Sequence, residues 1–196
     1  MLAAVAPAAP SLAGDVVATG PSPAPPLTAP SDAASYAAQS NTVKAHALVQ
    51  AAINMTNSDE AVRLLWQATD VDPMLDEPYI YLALFYNSRS QFDKEVEVYQ
   101  KLVKYKPREV SAYLNMGEAY MSYSPPKFDA ALPFFRKALE IDPGSSIAAL
   151  RVGEIYAQQG NRDEAVRYLK VASDDRVKNP NIAGEADQML GRISSR

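Results

Sequence analysis

The chain contains no cysteine, which excludes disulfides, thiolate nucleophiles and zinc sites of the cysteine type. It has one histidine, His46, and no GxxxxGK[ST] loop to cradle a phosphate. Any Ser/His/Asp grouping would have to be assembled around that lone imidazole, so neither enzyme chemistry nor a cofactor or metal is expected. Long hydrophobic runs are also missing, and none approaches the roughly 18–20 residues needed to cross a bilayer. A basic excess is absent as well. The 19 Lys and Arg against 23 Asp and Glu give a formal net charge of -4, which argues against a nucleic-acid partner needing a clustered basic footprint.

Lysine and arginine are wholly absent from residues 1–41, which instead hold 7 of the 15 prolines and 13 alanines. Segments such as Pro21-Ser-Pro-Ala-Pro-Pro26 favour extended backbone and carry too little bulky apolar surface to offset ordering entropy. Residues 1–41 are therefore expected to be a disordered Ala/Pro-rich tail or linker. Met1 to Gly14 is apolar but lacks a basic start and is interrupted by Pro7 and Pro10, so it makes a poor signal peptide as it stands. Composition leaves the compartment open: cytoplasmic by default, exported or organellar if this stretch is the remnant of a longer targeting sequence.

What is present, from Thr42 on, is a beat. The proline-ended steps Asp72-Pro73, Lys106-Pro107 and Asp142-Pro143 lie 34 and 36 residues apart, each after a 3.6-periodic apolar run. The pattern predicts nine short amphipathic helices: about 42–55, 58–71, 76–89, 92–105, 110–123, 128–141, 146–159, 162–175 and 180–194. Self-similarity at this period marks an array whose units share one core by stacking. Four units follow, 42–75, 76–109, 110–145 and 146–179, with 180–196 as a capping helix whose apolar stripe runs through Ile182, Ala186, Met189, Leu190 and Ile193. Asn179 and Pro180 supply its N-cap and first-turn pair.

Aligned on the beat, the eighth position holds Val49, Ala83, Gly117 and Gly153, and the eleventh Ala52, Tyr86, Tyr120 and Tyr156. The twentieth holds Ala61, Glu95, Ala131 and Ala165; the twenty-fourth Leu65, Tyr99, Phe135 and Leu169; the twenty-seventh Ala68, Leu102, Ala138 and Ala172. Small residues let paired helices approach while a bulky one opposite fills the groove. On these positions, and on stretches such as Phe128-Asp-Ala-Ala-Leu-Pro-Phe-Phe-Arg-Lys-Ala-Leu-Glu-Ile-Asp-Pro143, residues 42–179 closely resemble the tetratricopeptide repeat. The resemblance implies an all-α, right-handed α-solenoid of four antiparallel helix pairs plus the C-terminal cap. There are departures. Ala45 stands where the family often has Trp, Ala52 replaces its tyrosine, and Val177 its closing proline. Glu95 and Leu102 occupy small-residue positions, so the second pair is expected to splay or shift.

The resemblance further implies that the first helix of each unit lines a concave groove, through its second, fifth, sixth, ninth, twelfth and thirteenth positions. Those positions include His46, Gln50 and Ile53; then Ile80, Tyr81, Leu84 and Asn87; then Leu114, Asn115, Glu118 and Met121; then Ile147, Leu150, Arg151, Glu154 and Gln158. An apolar strip of Ile80, Leu84, Leu114 and Leu150 beside a few polar groups suits an amphipathic helix or a peptide with apolar anchors. The family's clamp for a chaperone's C-terminal carboxylate is matched only at Asn115 and Arg151, with Ile80, Leu84 and Ile147 where two lysines and a second asparagine belong. The implied function is protein–protein interaction, as a scaffold, adaptor or assembly factor. The main rival is a stably incorporated subunit of a larger complex, membrane-associated or not, with the tail along a neighbour. A related RNA-binding helical repeat differs in period and needs basic groove positions. The insertion Tyr123-Ser-Pro-Pro-Lys127, stiffened by two prolines, should project from one edge, as a tolerated loop or a second contact surface.

Overall fold

A computed structural model of the chain describes residues 30–195 apart from Asn57, with side chains from Ala37 onward. Among the described residues the structure is entirely helical: α1 (Pro30–Ile53), α2 (Ser58–Val71), α3 (Glu77–Ser88), α4 (Phe92–Tyr105), α5 (Val110–Met121), α6 (Phe128–Ile141), α7 (Ser146–Gln158), α8 (Arg162–Asp174) and α9 (Pro180–Ser194). The proline beat sets the ends of three of these. The residue before a proline is pushed out of the helical region, so α2, α4 and α6 each stop one residue before an X-Pro step. Asp72 and Asp142 then hold the turn, their carboxylates accepting the amides of Met74 (3.0 Å) and Gly144 (3.1 Å). Lys106 has no such oxygen; its ammonium reaches back to Asp76, at the start of its own unit, at 2.6 Å. The next unit fastens onto the same turn. The hydroxyls of Tyr79 and Tyr113, each at the fourth position of its unit, donate to the carbonyls of Pro73 and Pro107 (both 3.2 Å).

Within a unit the reversal is as regular. Gln91 and Asn161 donate their amides to Tyr86 and Tyr156, and the residue before each is left-handed: Gly160 at φ 78°, Ser90 at φ 56°. Consecutive helices pack as antiparallel pairs, α1 with α2 through α7 with α8, and α9 packs on α8 and α7. The result is an all-α solenoid of four helix pairs closed by a ninth helix. Its core lies where the repeat positions put it. Phe135 and Leu169 are fully buried against the bare backbone of Gly117 and Gly153, where a methyl group would sit 2.6 and 2.7 Å from them. Ala131, Ala138, Ala165 and Ala172 are fully buried too. In the second pair Glu95 and Leu102 fill positions held by alanine in units three and four, and the backbones of α3 and α4 approach each other less closely than those of the other pairs.

The expected start of the first helix is corrected. α1 begins at Pro30, not Thr42, so 30–41 are helical and not disordered linker. Proline suits the first helical position, where its missing amide hydrogen has no partner in any case, and the alanines that follow are the strongest helix formers. The part of the tail assignment that falls on 1–29 lies outside the described residues. A second correction concerns the insertion at 123–127. Tyr123 folds back into an aromatic column, stacked 6.3 Å from Tyr120, which stacks 5.7 Å from Phe134, with Phe92 edge-on at 5.1 Å. The Lys127 ammonium caps Tyr123 at 3.4 Å, and the Lys127 amide donates to the Tyr120 carbonyl. Only residues 124–127 remain exposed.

Candidate functional site: the first-helix face

The first helix of each pair has one side packed on its partner and the other left open. On α3 the open side carries Ile80, Tyr81, Leu84 and Asn87, with Ile80 52% and Leu84 61% exposed. On α1 it carries Val43, His46, Gln50 and Ile53, all exposed. Leu114, Asn115, Glu118 and Met121 on α5 are half-buried, and on α7 Ile147 and Gln158 are exposed while Arg151 and Glu154 are half-buried.

Leu150 is not part of this face. At 1% exposure it sits in an apolar cluster with Ala149, Leu169, Ala172 and Ala186, beside Ile182, Met189 and Leu190. The cause is α9, which packs against α7 and converts an open position into core. Leu114 is intermediate in the same sense, packing in part on the cluster of Phe135, Val152 and Ile155.

The polar members are engaged with one another. Arg151 bridges α5 and α7, its Nε donating to Glu118 at 2.5 Å and its Nη1 to Glu154 at 3.0 Å. The two carboxylates hold the guanidinium proton more firmly than usual, against the opposing effect of burial, which is the largest single influence. His46 Nδ1 lies 2.7 Å from Glu77, joining α1 to α3. Asn115 is bonded to the Tyr99 hydroxyl, whose pKa is pushed up to about 12, by burial first and by Glu95 second. Asn87 donates to Glu95 at 2.9 Å. Glu95 is 7% exposed, and burial raises its pKa while the Asn87 bond partly lowers it.

These pairings bear on the carboxylate clamp. Its two matching residues already have partners, Arg151 two acidic ones and Asn115 a buried tyrosine, so an incoming carboxylate would have to compete with Glu118 and Glu154 for the guanidinium. Sequence reasoning had no sign of the Arg151 triad beyond the shared ninth position of Glu118 and Glu154. The buried role of Glu95 under Asn87 was hidden for a different reason, since it needs two residues eight apart on consecutive helices to meet. Among the described residues there is no cluster of three or more His, Asp or Glu side chains able to hold a metal, and no helix long and apolar enough to cross a membrane.

Two sequence profiles described as tetratricopeptide repeat match residues 89–146 and 127–184. The chain carries tetratricopeptide repeats. A TPR repeat-containing protein of Methanocaldococcus jannaschii is 33% identical over 118 residues, 60% of this chain and 20% of that protein. The rat mitochondrial import receptor subunit TOM70 is 26% identical over 132 residues, 66% of this chain and 22% of its own. This chain thus spans about a fifth of the length of those relatives. Among solved structures, the TPR2B domain of yeast Sti1, in a pHsp70 complex, superposes with a TM-score of 0.53 at 25% identity, covering 61% of this chain and 95% of that one. MamA superposes at 0.57 with 21% identity, covering 74% and 86%, a likeness that shows the fold alone. Repeats of this family and fold are typically non-catalytic protein-binding scaffolds.

Proposed function

We propose that this tetratricopeptide array is a scaffold, adaptor or assembly factor that holds a peptide or subunit surface of another protein along its first-helix face. The observation that carries the reading is the exposure of Ile53, Ile80, Tyr81, Leu84 and Ile147 on α1, α3 and α7, whose other sides are packed. Aliphatics that recur on the solvent side of α1, α3 and α7 give a partner a set of apolar anchors. Ile80 and Leu84 are the residues to alter, because Leu114 also serves the core. Ile80→Ser with Leu84→Ser should remove the partner recovered by cross-linking from native extract, with the helical circular dichroism unchanged. Retention of the same partner by that variant would place binding elsewhere. A second reading, a stably incorporated subunit of a larger complex, is favoured by α1, whose residues 37–39 are exposed ahead of the first pair.

A further inference from the structure

Resting on that reading, we infer that the first-helix face selects a basic amphipathic helix of another protein, with apolar anchors on α1 and α3 and a Lys or Arg set between Glu118 and Glu154. The argument is one of charge. Of the twenty-four residues at the groove positions of units one to four, three are carboxylates, Glu77, Glu118 and Glu154, against one arginine and no lysine. Glu77 lies 2.7 Å from His46 Nδ1, whereas Glu118 and Glu154 share the single guanidinium of Arg151. That triad keeps a net negative charge in a half-buried setting, where Coulomb attraction is screened less than at an open surface. Each carboxylate spends one oxygen on Arg151: Glu118 Oε1 and Glu154 Oε2. Their other oxygens have no protein hydrogen-bond donor among the described residues and are free to accept from an incoming cation.

The same charge count argues against other occupants. A carboxylate-bearing tail would meet two carboxylates that already share the one guanidinium. The N-terminal segment of this chain holds no Lys or Arg in residues 1–41, and only Asp15 and Asp32. The anchors on α1 and α3 and the acidic triad on α5 and α7 lie on different helices, so the ligand must present both kinds of side chain on one surface over several turns. An amphipathic helix does so.

The test uses the full chain and two synthetic amphipathic helical peptides of about 18 residues, roughly five turns. They share a leucine face and carry either lysine or glutamate along its flank; affinity is read by fluorescence anisotropy. The lysine peptide should bind, more weakly as salt rises, and the glutamate peptide at least about tenfold more weakly. Glu118→Gln with Glu154→Gln should cost the lysine peptide about tenfold, and Arg151→Gln should tighten it several-fold by removing the competing cation. Opposite shifts from two neighbouring neutralisations cannot both come from misfolding. Equal binding of the two peptides, lost in Ile80→Ser with Leu84→Ser, would overturn the basic preference and leave the groove reading standing. Lysine-peptide binding indifferent to the Ile80 and Leu84 pair would be surface attraction alone and would overturn both. Failure of the lysine peptide to bind at all overturns the basic preference, and extract capture then judges the groove independently.

Discussion

Single side chains in this array are held to narrow tolerances. At Gly153 an added methyl would lie 2.7 Å from Leu169 Cγ and 3.2 Å from its backbone nitrogen, which cannot turn aside. Gly153→Ala should therefore destabilise by about 1–3 kcal/mol in thermal melts, and an unchanged melt would show that α7 and α8 can slide apart. Ser90 and Gly160 occupy the same left-handed turn position, where only the glycine escapes a Cβ clash. Ser90→Gly should raise stability by up to about 1 kcal/mol, the relief of strain exceeding the extra freedom of the unfolded chain. Glu95 carries the pH dependence. Burial raises its folded pKa above the unfolded one, so it contributes stability at pH below the ordinary carboxylate range and loses it as pH rises through the folded value. Glu95→Gln keeps an acceptor for Asn87 without a charge to bury. Its melting temperature should exceed the wild type's at neutral pH, with the gap closing toward about pH 4; a gap independent of pH would mean that Glu95 does not titrate in the fold.

Elements here have edges that must be closed. An internal helix pair is covered on both sides, and the C-terminal pair would expose Ala149, Leu169 and Ala172 without α9. Ala183 and Ala186 are buried in that contact, with Ile182, Met189, Leu190 and Ile193 half-buried beside them. The Asp187 carboxylate takes the Ser173 hydroxyl at 2.6 Å and the Arg176 guanidinium at 2.7 Å, securing α9 to the end of α8. Truncation after Asn179 should cost on the order of 3 kcal/mol or more, by burial of these side chains alone. Retained stability in urea unfolding would make α9 a detachable element. The outward positions of α9 that continue the first-helix face are Asn181, Gly184, Glu185, Gln188, Gly191 and Arg192, all exposed and none a large apolar residue. The apolar strip therefore stops at α7.

For the whole molecule, the core and the proposed binding face lie on opposite sides of the same helices. Ile80→Ser with Leu84→Ser should shift the melting free energy by no more than about 0.5 kcal/mol, because neither side chain belongs to the core. A larger loss would show that the strip is structural. The sequence made the core legible because repeat positions are a local property: small at the eighth and twentieth, bulky at the twenty-fourth, a proline at the close. It made the face legible only in part. Ile80, Tyr81 and Leu84 are exposed as expected, but Leu150 is similarly apolar, holds the same repeat position as Ile80 and is buried. Similarly, the composition of residues 30–41 suggested linker, while alanine's helix propensity extended α1 back to Pro30.

By itself the sequence determined the all-helical repeat, its pairing and its capping helix, because a 34-residue period with small and large residues in phase has one economical way to bury its apolar stripes. Only the tertiary structure decided which groove residues stay open and which charges remain unmatched. Burial of Leu150 needs α9 to dock beside α7, and the acidic triad needs Arg151 to reach Glu118 thirty-three residues away. Such contacts depend on how units stack, and no residue's own character encodes that.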